Sequence, residues 1–516
     1  MPSIRGEGMP APLSPAAERW VDDWLARLTP AQKIAHCLLV LPTIGPDGLP
    51  DAATRHALEL GVGTLHSIRD VPASAATAYH QRVAEICADA GLPPALISGN
   101  LEAGIMYSLG QSGTHFPYPR GLGIAADPDL AYRVAAATAV EARAVGYHWT
   151  FSPCIDVVSV PDDPILGVRA YGVPAALTGQ LGAAQIRGYQ DNAVLATAKH
   201  FPGHGDSNTD SHLAQPIVNR SQADHDAIHL PPFADAVTAG VATIMVAHIA
   251  YPHLGIDVPA SLSPTVNRGW LRRDLGFDGV IITDALHMDA IARYHTPTAA
   301  ALLSLQAGAD VANVKCTSED IQPVIAHLLD ALSNGDLQQA DLDASVRRLL
   351  VARTLVGLHL SDASRTTLAD TPTYWSDPQR RATVDSHRVG GTALDPAAKV
   401  VVVGDSALAR RLAELGSFQL EPEPLVPGVL ARVAQRHPGA QLIPVFGPGP
   451  IPAAQQWKDV AAVTADAPNR CPAVIVNSTL AAHTFGDVAD LVISVPAMDA
   501  FDIVTDAAVN AALDVL

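Results

Sequence analysis

Eight short apolar runs recur along the first two thirds of the chain, at Ala35–Leu41, Gly61–His66, Ala95–Ser98, His148–Ile155, Val194–Lys199, Val241–His248, Gly279–Asp284 and Ala309–Val314. Runs of this length bounded by turn residues read as buried strands, and each is separated from the next by a stretch with helical periodicity. Eight strands alternating with helices over about 300 residues predict a (β/α)8 TIM-type barrel, in an α/β fold class. Ahead of the first strand, residues 15–33 predict an amphipathic helix with Trp20, Trp24 and Leu25 on one side and Asp22, Asp23 and Arg27 on the other. A long amphipathic pattern from Leu342 to His359 closes this part near Leu360.

The pattern then changes. Residues 361–396 are rich in Ser, Thr, Asp and Arg and read as a linker. From residue 397 the apolar runs at Val400–Val403, Gln441–Val445, Ala473–Val476 and Asp490–Val495 predict a small α/β C-terminal domain with a sandwich-like sheet. The division is therefore a barrel domain over 1–360, a linker over 361–396 and a C-terminal domain over 397–516. The turn at Gly404-Asp405 has the look of half a dinucleotide fold, but no Gly-x-Gly-x-x-Gly accompanies it, so no nicotinamide site is expected.

Chemistry concentrates at strand ends. The segment Lys199-His-Phe-Pro-Gly-His-Gly-Asp-Ser-Asn-Thr-Asp-Ser-His212 follows the fifth run directly and crowds Lys199, His200, His204, Asp206, Asp210 and His212 together. Three readings stand for it. It is a solvated turn; or His200, His204, His212 and the aspartates hold a metal ion, although Pro202, Gly203 and Gly205 forbid a helical His-x-x-x-His pair; or Asp210 and His212, two residues apart on an extended segment, form an acid/base pair in which the carboxylate orients the imidazole and raises its pKa. Asn100 and Glu102, Asp156 and His248 also follow apolar runs. Taken singly, Asp156 and His248 read as caps or satisfied buried polar groups. Asp284 at the end of the seventh run reads, taken alone, as a helix N-cap.

Composition narrows the classes of function. With 33 Lys plus Arg against 52 Asp plus Glu, the net charge of −19 disfavours nucleic-acid and anionic membrane partners. A small neutral substrate suits that field better. No window of about 18 apolar residues suggests a membrane span, and the residues MPSIRGEGMPAPLSPAAERW hold no apolar stretch of secretory type, which gives the expectation of a cytoplasmic protein. Cys37, Cys87, Cys154, Cys316 and Cys471 are scattered without Cys-x-x-Cys spacing, so buried thiols are expected in place of disulfides or a zinc knuckle.

The string KHFPGHGDSNTDSH resembles the catalytic loop of the β-N-acetylglucosaminidase branch of glycoside hydrolase family 3, and Gly279-Val-Ile-Ile-Thr-Asp-Ala-Leu-His-Met-Asp-Ala-Ile291 resembles a second signature of that family. The likeness covers residues 15–360 and extends weakly into the tail. It implies that Asp284 is the nucleophile and that the dyad of Asp210 and His212 is the acid/base. It also implies that Lys199, His200 and Arg169 of Ile165-Leu-Gly-Val-Arg-Ala-Tyr171 bond sugar hydroxyls. No cofactor or metal is implied. Where the family commonly has Asp-Gln-Glu-Gly-Gly followed by arginines, this chain has Asn100-Leu-Glu-Ala-Gly-Ile-Met-Tyr-Ser108. Asn100 still donates and accepts hydrogen bonds, but without the charge-assisted strength of a carboxylate. The expected activity is that of a retaining, exo-acting β-N-acetylhexosaminidase-like glycoside hydrolase on a small carbohydrate or glycoconjugate. The alternatives are a phosphorylase using the same residues, a sugar-binding barrel without turnover, and a metal-dependent hydrolase.

Overall fold

The computed structural model describes residues 13–360 apart from 70, 110–112, 115, 117, 160–165, 208–214 and 318–320. Beyond them it describes 388–389, 400–403, 410, 412–414, 418–423, 425, 428–438, 440–446, 463, 471–476 and 489–494. Contacts divide the chain into two compact units. The first comprises 1–114, 131–157 and 174–373, and the second 115–130, 158–173 and 374–516.

In the first unit every one of the eight apolar runs overlaps a strand: β1 Leu38–Leu41, β2 Thr64–Leu65, β3 Leu96–Gly99, β4 Trp149–Thr150, β5 Thr197–Phe201, β6 Thr243–Val246, β7 Val280–Thr283 and β8 Ala312–Thr317. Two sheets result, ordered β4-β3-β2-β1-β8 and β5-β6-β7. All their pairings are parallel. Parallel bridges also join Trp149 to Leu195, Cys154 to Lys199 and Ile282 to Val311. Because the strands run the same way, their carboxyl ends share one edge. The described parts of the segments that carry the chemistry, 99–102, 154–156, 199–207, 246–248 and 284, all follow those ends.

Local sequence sets the helices. The expected single helix over 15–33 is two, Pro15–Arg27 and Pro30–His36. Thr29 and Gln32 form a reciprocal capping box with Pro30 at the first helical position, and this start signal ends the preceding helix. The face that helix Pro15–Arg27 buries is Ala17 and Val21, while Trp20 and Trp24 are half-buried and meet edge to face at 6.2 Å. No helix among the described residues is long and apolar enough to cross a membrane. Cys37, Cys87 and Cys154 are buried free thiols.

Away from the strand ends, Asp310 ties three parts of the unit together. Its carboxylate accepts from Arg272 at 2.5 Å, Arg348 at 2.9 Å, the Ser345 hydroxyl at 2.7 Å and the Ile281 amide at 2.8 Å. Arg353, also fully buried, donates to the carbonyls of Pro94, Leu349 and Gly63, each at 2.8 Å.

The second unit contains a six-stranded sheet ordered β11-β10-β12-β13-β14-β9, with β9 Arg388–Val389, β10 Val400–Val403, β11 Gln419–Glu421, β12 Gln441–Phe446, β13 Cys471–Val476 and β14 Ala489–Ser494. The pairings are parallel except for β9, which runs antiparallel on the edge beside β14. Each of the four apolar runs read in this region carries a strand; β9 and β11 are short additions. Apart from β9, the stretch read as a linker lies outside the described residues.

The unequal environments of two aspartates give a stability contrast. Asp310→Ala leaves Arg272 and Arg348 without their buried counter-charge and should cost about 3–5 kcal/mol. Asp289→Ala removes only the exposed pair with Arg293 and should cost less than about 1 kcal/mol. Urea unfolding of the two variants beside the parent measures the difference.

Candidate active site

The end of β5 is built on a buried ion pair and a buried carboxylate–imidazole pair. Lys199 reaches Glu102, three residues beyond β3, at 2.5 Å. Asp156, after β4, receives three donors from the segment beginning at His200. These are the His200 amide at 3.0 Å, His200 Nδ1 at 2.7 Å and the His204 amide at 2.7 Å. The Cys154 thiol adds a longer contact to the same carboxylate at 3.3 Å. Asp156 is 1% exposed and Lys199 is 1% exposed, so both pairs act in a poorly solvated setting where an unpaired charge would be costly.

The following residues are fixed from behind. Tyr251 donates its hydroxyl to the Gly203 carbonyl at 2.6 Å, and His225 Nε2 meets the Pro202 carbonyl at 3.0 Å. Gly203 has φ +125°, and a Cβ at that position would lie 2.7 Å from the Cβ of His229, so only glycine fits. Asp206 then accepts from His229 Nε2 at 2.8 Å and pairs with Arg220. Asp210 and His212, read from the sequence as the acid/base dyad, lie outside the described residues.

Asp284 stands at the end of β7, half-buried. Its amide donates to the Val246 carbonyl at 2.9 Å, and its Oδ1 accepts from the Ala285 amide at 2.7 Å. The helix that follows Asp284 begins only at Asp289, with Met288 as its N-cap, so Asp284 does not cap it. The position therefore belongs to the strand end. His248, after β6, is satisfied by the Ser261 hydroxyl at 2.8 Å and the Ala285 carbonyl at 3.0 Å. Asn100 is half-buried with no side-chain hydrogen bond among the described residues, while Ser108 is fully buried with its hydroxyl unpartnered. Arg169 belongs to the second unit, in a short 3₁₀ turn Gly167–Arg169, half-buried.

Electrostatics distinguishes these groups. Burial alone would raise the Asp156 carboxyl, but the charge and hydrogen bonds of His200, together with His204, overcome it and hold the pKa down to about 2. His200 is lowered, first by burial, against the upward pull of Asp156 and Asp284. His248 is lowered likewise by burial and pulled up by Asp284. The Asp284 charge thus acts on two neutral imidazoles from two neighbouring strands. Cys154, Asp156 and His200 place possible metal-ligating atoms within 4.8 Å of one another, but both Asp156 oxygens are already engaged by N–H donors. A cation there would have to displace them. This set shares only His200 with the loop residues that the sequence offered as ligands.

The family model described as "Glycosyl hydrolase family 3 N terminal domain" matches residues 59–352, more than half of the chain. The chain belongs to glycosyl hydrolase family 3. Among similar proteins, Beta-hexosaminidase A of Pseudoalteromonas piscicida is 33% identical over 242 residues, 43% of this chain and 40% of that protein. Beta-hexosaminidase LpqI of Mycobacterium tuberculosis (strain ATCC 25618 / H37Rv) is 33% identical over 340 residues, 63% of this chain and 82% of that protein. The solved family 3 beta-N-acetylglucosaminidase from Paenibacillus sp. str. FPU-7 superposes with a TM-score of 0.79 at 27% identity, covering 94% of this chain and 96% of that one. The chain spans less than two thirds of the length of the first curated relatives it matches.

Against this family 3 frame, the sequence placed Asp284, Lys199, His200 and Asn100 at strand ends, and the structure has them there. It did not find the pairings that hold them. Asp156 was read as a satisfied buried group, which it is, yet its partner is the sugar-binding candidate His200. Glu102 was seen without its link to Lys199. The signal available for both was a lone carboxylate directly after an apolar strand.

Buried neutral histidines make stability pH-dependent. Burial lowers His36 to about 3 and His225 to about 4 from an ordinary 6.5. The unfolded chain therefore takes up protons first as pH falls. The stability is complete above 6.5 and is lost as pH drops from 6.5 towards those lower values, by up to about 1.4 kcal/mol per pH unit for each group. Melting temperatures between pH 7.5 and 4.5 should fall steeply, and less steeply for His225→Gln.

Proposed function

We propose that this chain is a retaining, exo-acting glycoside hydrolase of the β-N-acetylhexosaminidase type, with Asp284 as the nucleophile. The observation that carries the reading is the position of Asp284. It is a strand-end carboxylate of intermediate exposure, and its charge acts on both His200 and His248. The names of the relatives, Beta-hexosaminidase A and beta-N-acetylglucosaminidase, support the substrate class. For the scaffold we propose a closed (β/α)8 barrel over residues 1–360. Its support is that parallel pairing or bridging links each of the eight strands to the next and the eighth to the first.

In the first step an Asp284 oxygen forms a bond to the anomeric carbon as the glycosidic bond breaks. His212, protonated and oriented by Asp210, gives its proton to the departing oxygen. In the second step His212 takes a proton from water, whose oxygen displaces Asp284 and restores the carboxylate. Such chemistry places the two groups about 5–5.5 Å apart in the reacting state. Lys199, held by Glu102, presents an ammonium donor to the sugar hydroxyls, and His200, its Nδ1–H held by Asp156, presents Nε2 as an acceptor, each with little freedom left to lose on binding. Within the first unit Asn100, whose amide has no hydrogen bond among the described residues, completes the set. Where an aspartate would grip its hydroxyl by charge, Asn100 offers a neutral bond, which shifts the preference among sugars more than it alters the reaction.

Release of 4-nitrophenol from the β-N-acetylglucosaminide and the β-glucoside tests this, with and without phosphate. The parent should turn over the N-acetylglucosaminide, and Asp284→Ala should lower kcat by at least about 10³-fold with the fold intact. Activity should survive a chelator. Acceleration by phosphate with a sugar phosphate product would replace hydrolysis by phosphorolysis, and sugar binding without turnover would leave a silent binding barrel.

A further inference from the structure

Around Asp156 and Asp284 the histidines fall into two groups. His200, His225, His229 and His248 each have a ring nitrogen engaged, by Asp156, the Pro202 carbonyl, Asp206, and Ser261 with Ala285 respectively. His204 has none. Its side chain is 2% exposed, and among the described residues neither Nδ1 nor Nε2 has a hydrogen-bond partner. An imidazole buried this way forfeits its hydration with nothing in return, a penalty that a phenyl ring would not incur.

The orphan is not loosely placed. The His204 amide is pinned to Asp156 Oδ1 at 2.7 Å, and the preceding Gly203 carbonyl is held by Tyr251 at 2.6 Å. The ring packs edge to face on His200 with centroids 5.7 Å apart. One buried carboxylate therefore fixes two imidazoles side by side: His200 through its ring, and His204 through its backbone, which leaves the second ring's nitrogens uncommitted. A neutral imidazole offers one donor and one acceptor, the complement of an alcohol.

We propose that His204 is a further substrate-binding residue, whose ring bonds a hydroxyl of the terminal sugar next to the one taken by His200. The inference rests on the glycosidase reading for the identity of the ligand. The placement of Asp156 serves it directly, since one substitution at Asp156 would release both rings. His204 takes no part in bond breaking. Its contribution is to select and orient the sugar.

The test compares the parent, His204→Phe and His204→Asn on 4-nitrophenyl β-N-acetylglucosaminide and its 3-, 4- and 6-deoxy analogues. Melting temperatures are measured alongside, with calorimetric binding of N-acetylglucosamine and its matching deoxy sugars. His204→Phe should melt at or above the parent temperature. It should lose about 10–100-fold in kcat/KM and in sugar affinity. It should also no longer distinguish the parent sugar from one particular deoxy analogue, and His204→Asn should recover part of that discrimination. Unchanged kinetics and binding in His204→Phe would overturn the proposal and leave a buried ring without a ligand. An equal loss on every analogue would also overturn it, because a displaced backbone weakens all substrates alike. Calorimetry separates this inference from the reading beneath it. Sugar binding that depends on His204 without any turnover would sink hydrolysis and sustain the contact, and a parent that binds no sugar would sink both.

Discussion

The site depends on one buried carboxylate. Asp156 cannot stay ionised at 1% exposure without donors, and the donors it takes are the amides of His200 and His204 and the ring of His200. The tip of β4 is thereby fastened to the segment leaving β5. The same need for charge balance fastens β3 to β5 through Glu102 and Lys199. Two desolvated pairs, each costly to break from one side, give the strand ends a single arrangement. A site fixed in advance spends less of its binding energy on ordering itself.

Burial also sets the protonation of the groups that would meet a neutral sugar. The tendency of buried imidazoles to lose their proton keeps His200 and His248 below their ordinary pKa, and the Asp284 charge opposes this. Behind the site, Tyr251, His225 and His229 hold Gly203, Pro202 and Asp206, so the residues just before Asn208 have their own supports. The core elsewhere follows the same rule, with Asp310 and Arg353 saturated by partners from distant parts of the chain.

Much of this was legible in the residues. Each of the eight apolar runs overlaps a strand because parallel strands covered on both faces must be continuously apolar, and that pattern survives in a single sequence. Asp284, Lys199, His200 and Asn100 were found because they break such runs at their ends. What stayed hidden was pairing across strands. Nothing local links Asp156 to His200, 44 residues later, or Glu102 to Lys199. The helix expected over 15–33 failed for a local reason that was readable, the Thr29-Pro30 start signal followed by Gln32. His204 was noted only as one of several loop histidines. Its unsatisfied ring is a property of the folded surroundings that no spacing conveys.

The account stands or falls on whether Asp284 forms a bond to the sugar. The measurement is intact-mass and peptide-mass analysis after incubation with a slow mechanism-based substrate, a 5-fluoro N-acetylglucosaminyl fluoride. A stoichiometric mass increase carried by the peptide containing Asp284, absent in Asp284→Ala, is the result predicted. Turnover of glycosides with no covalent adduct, or an adduct on another residue, would contradict it.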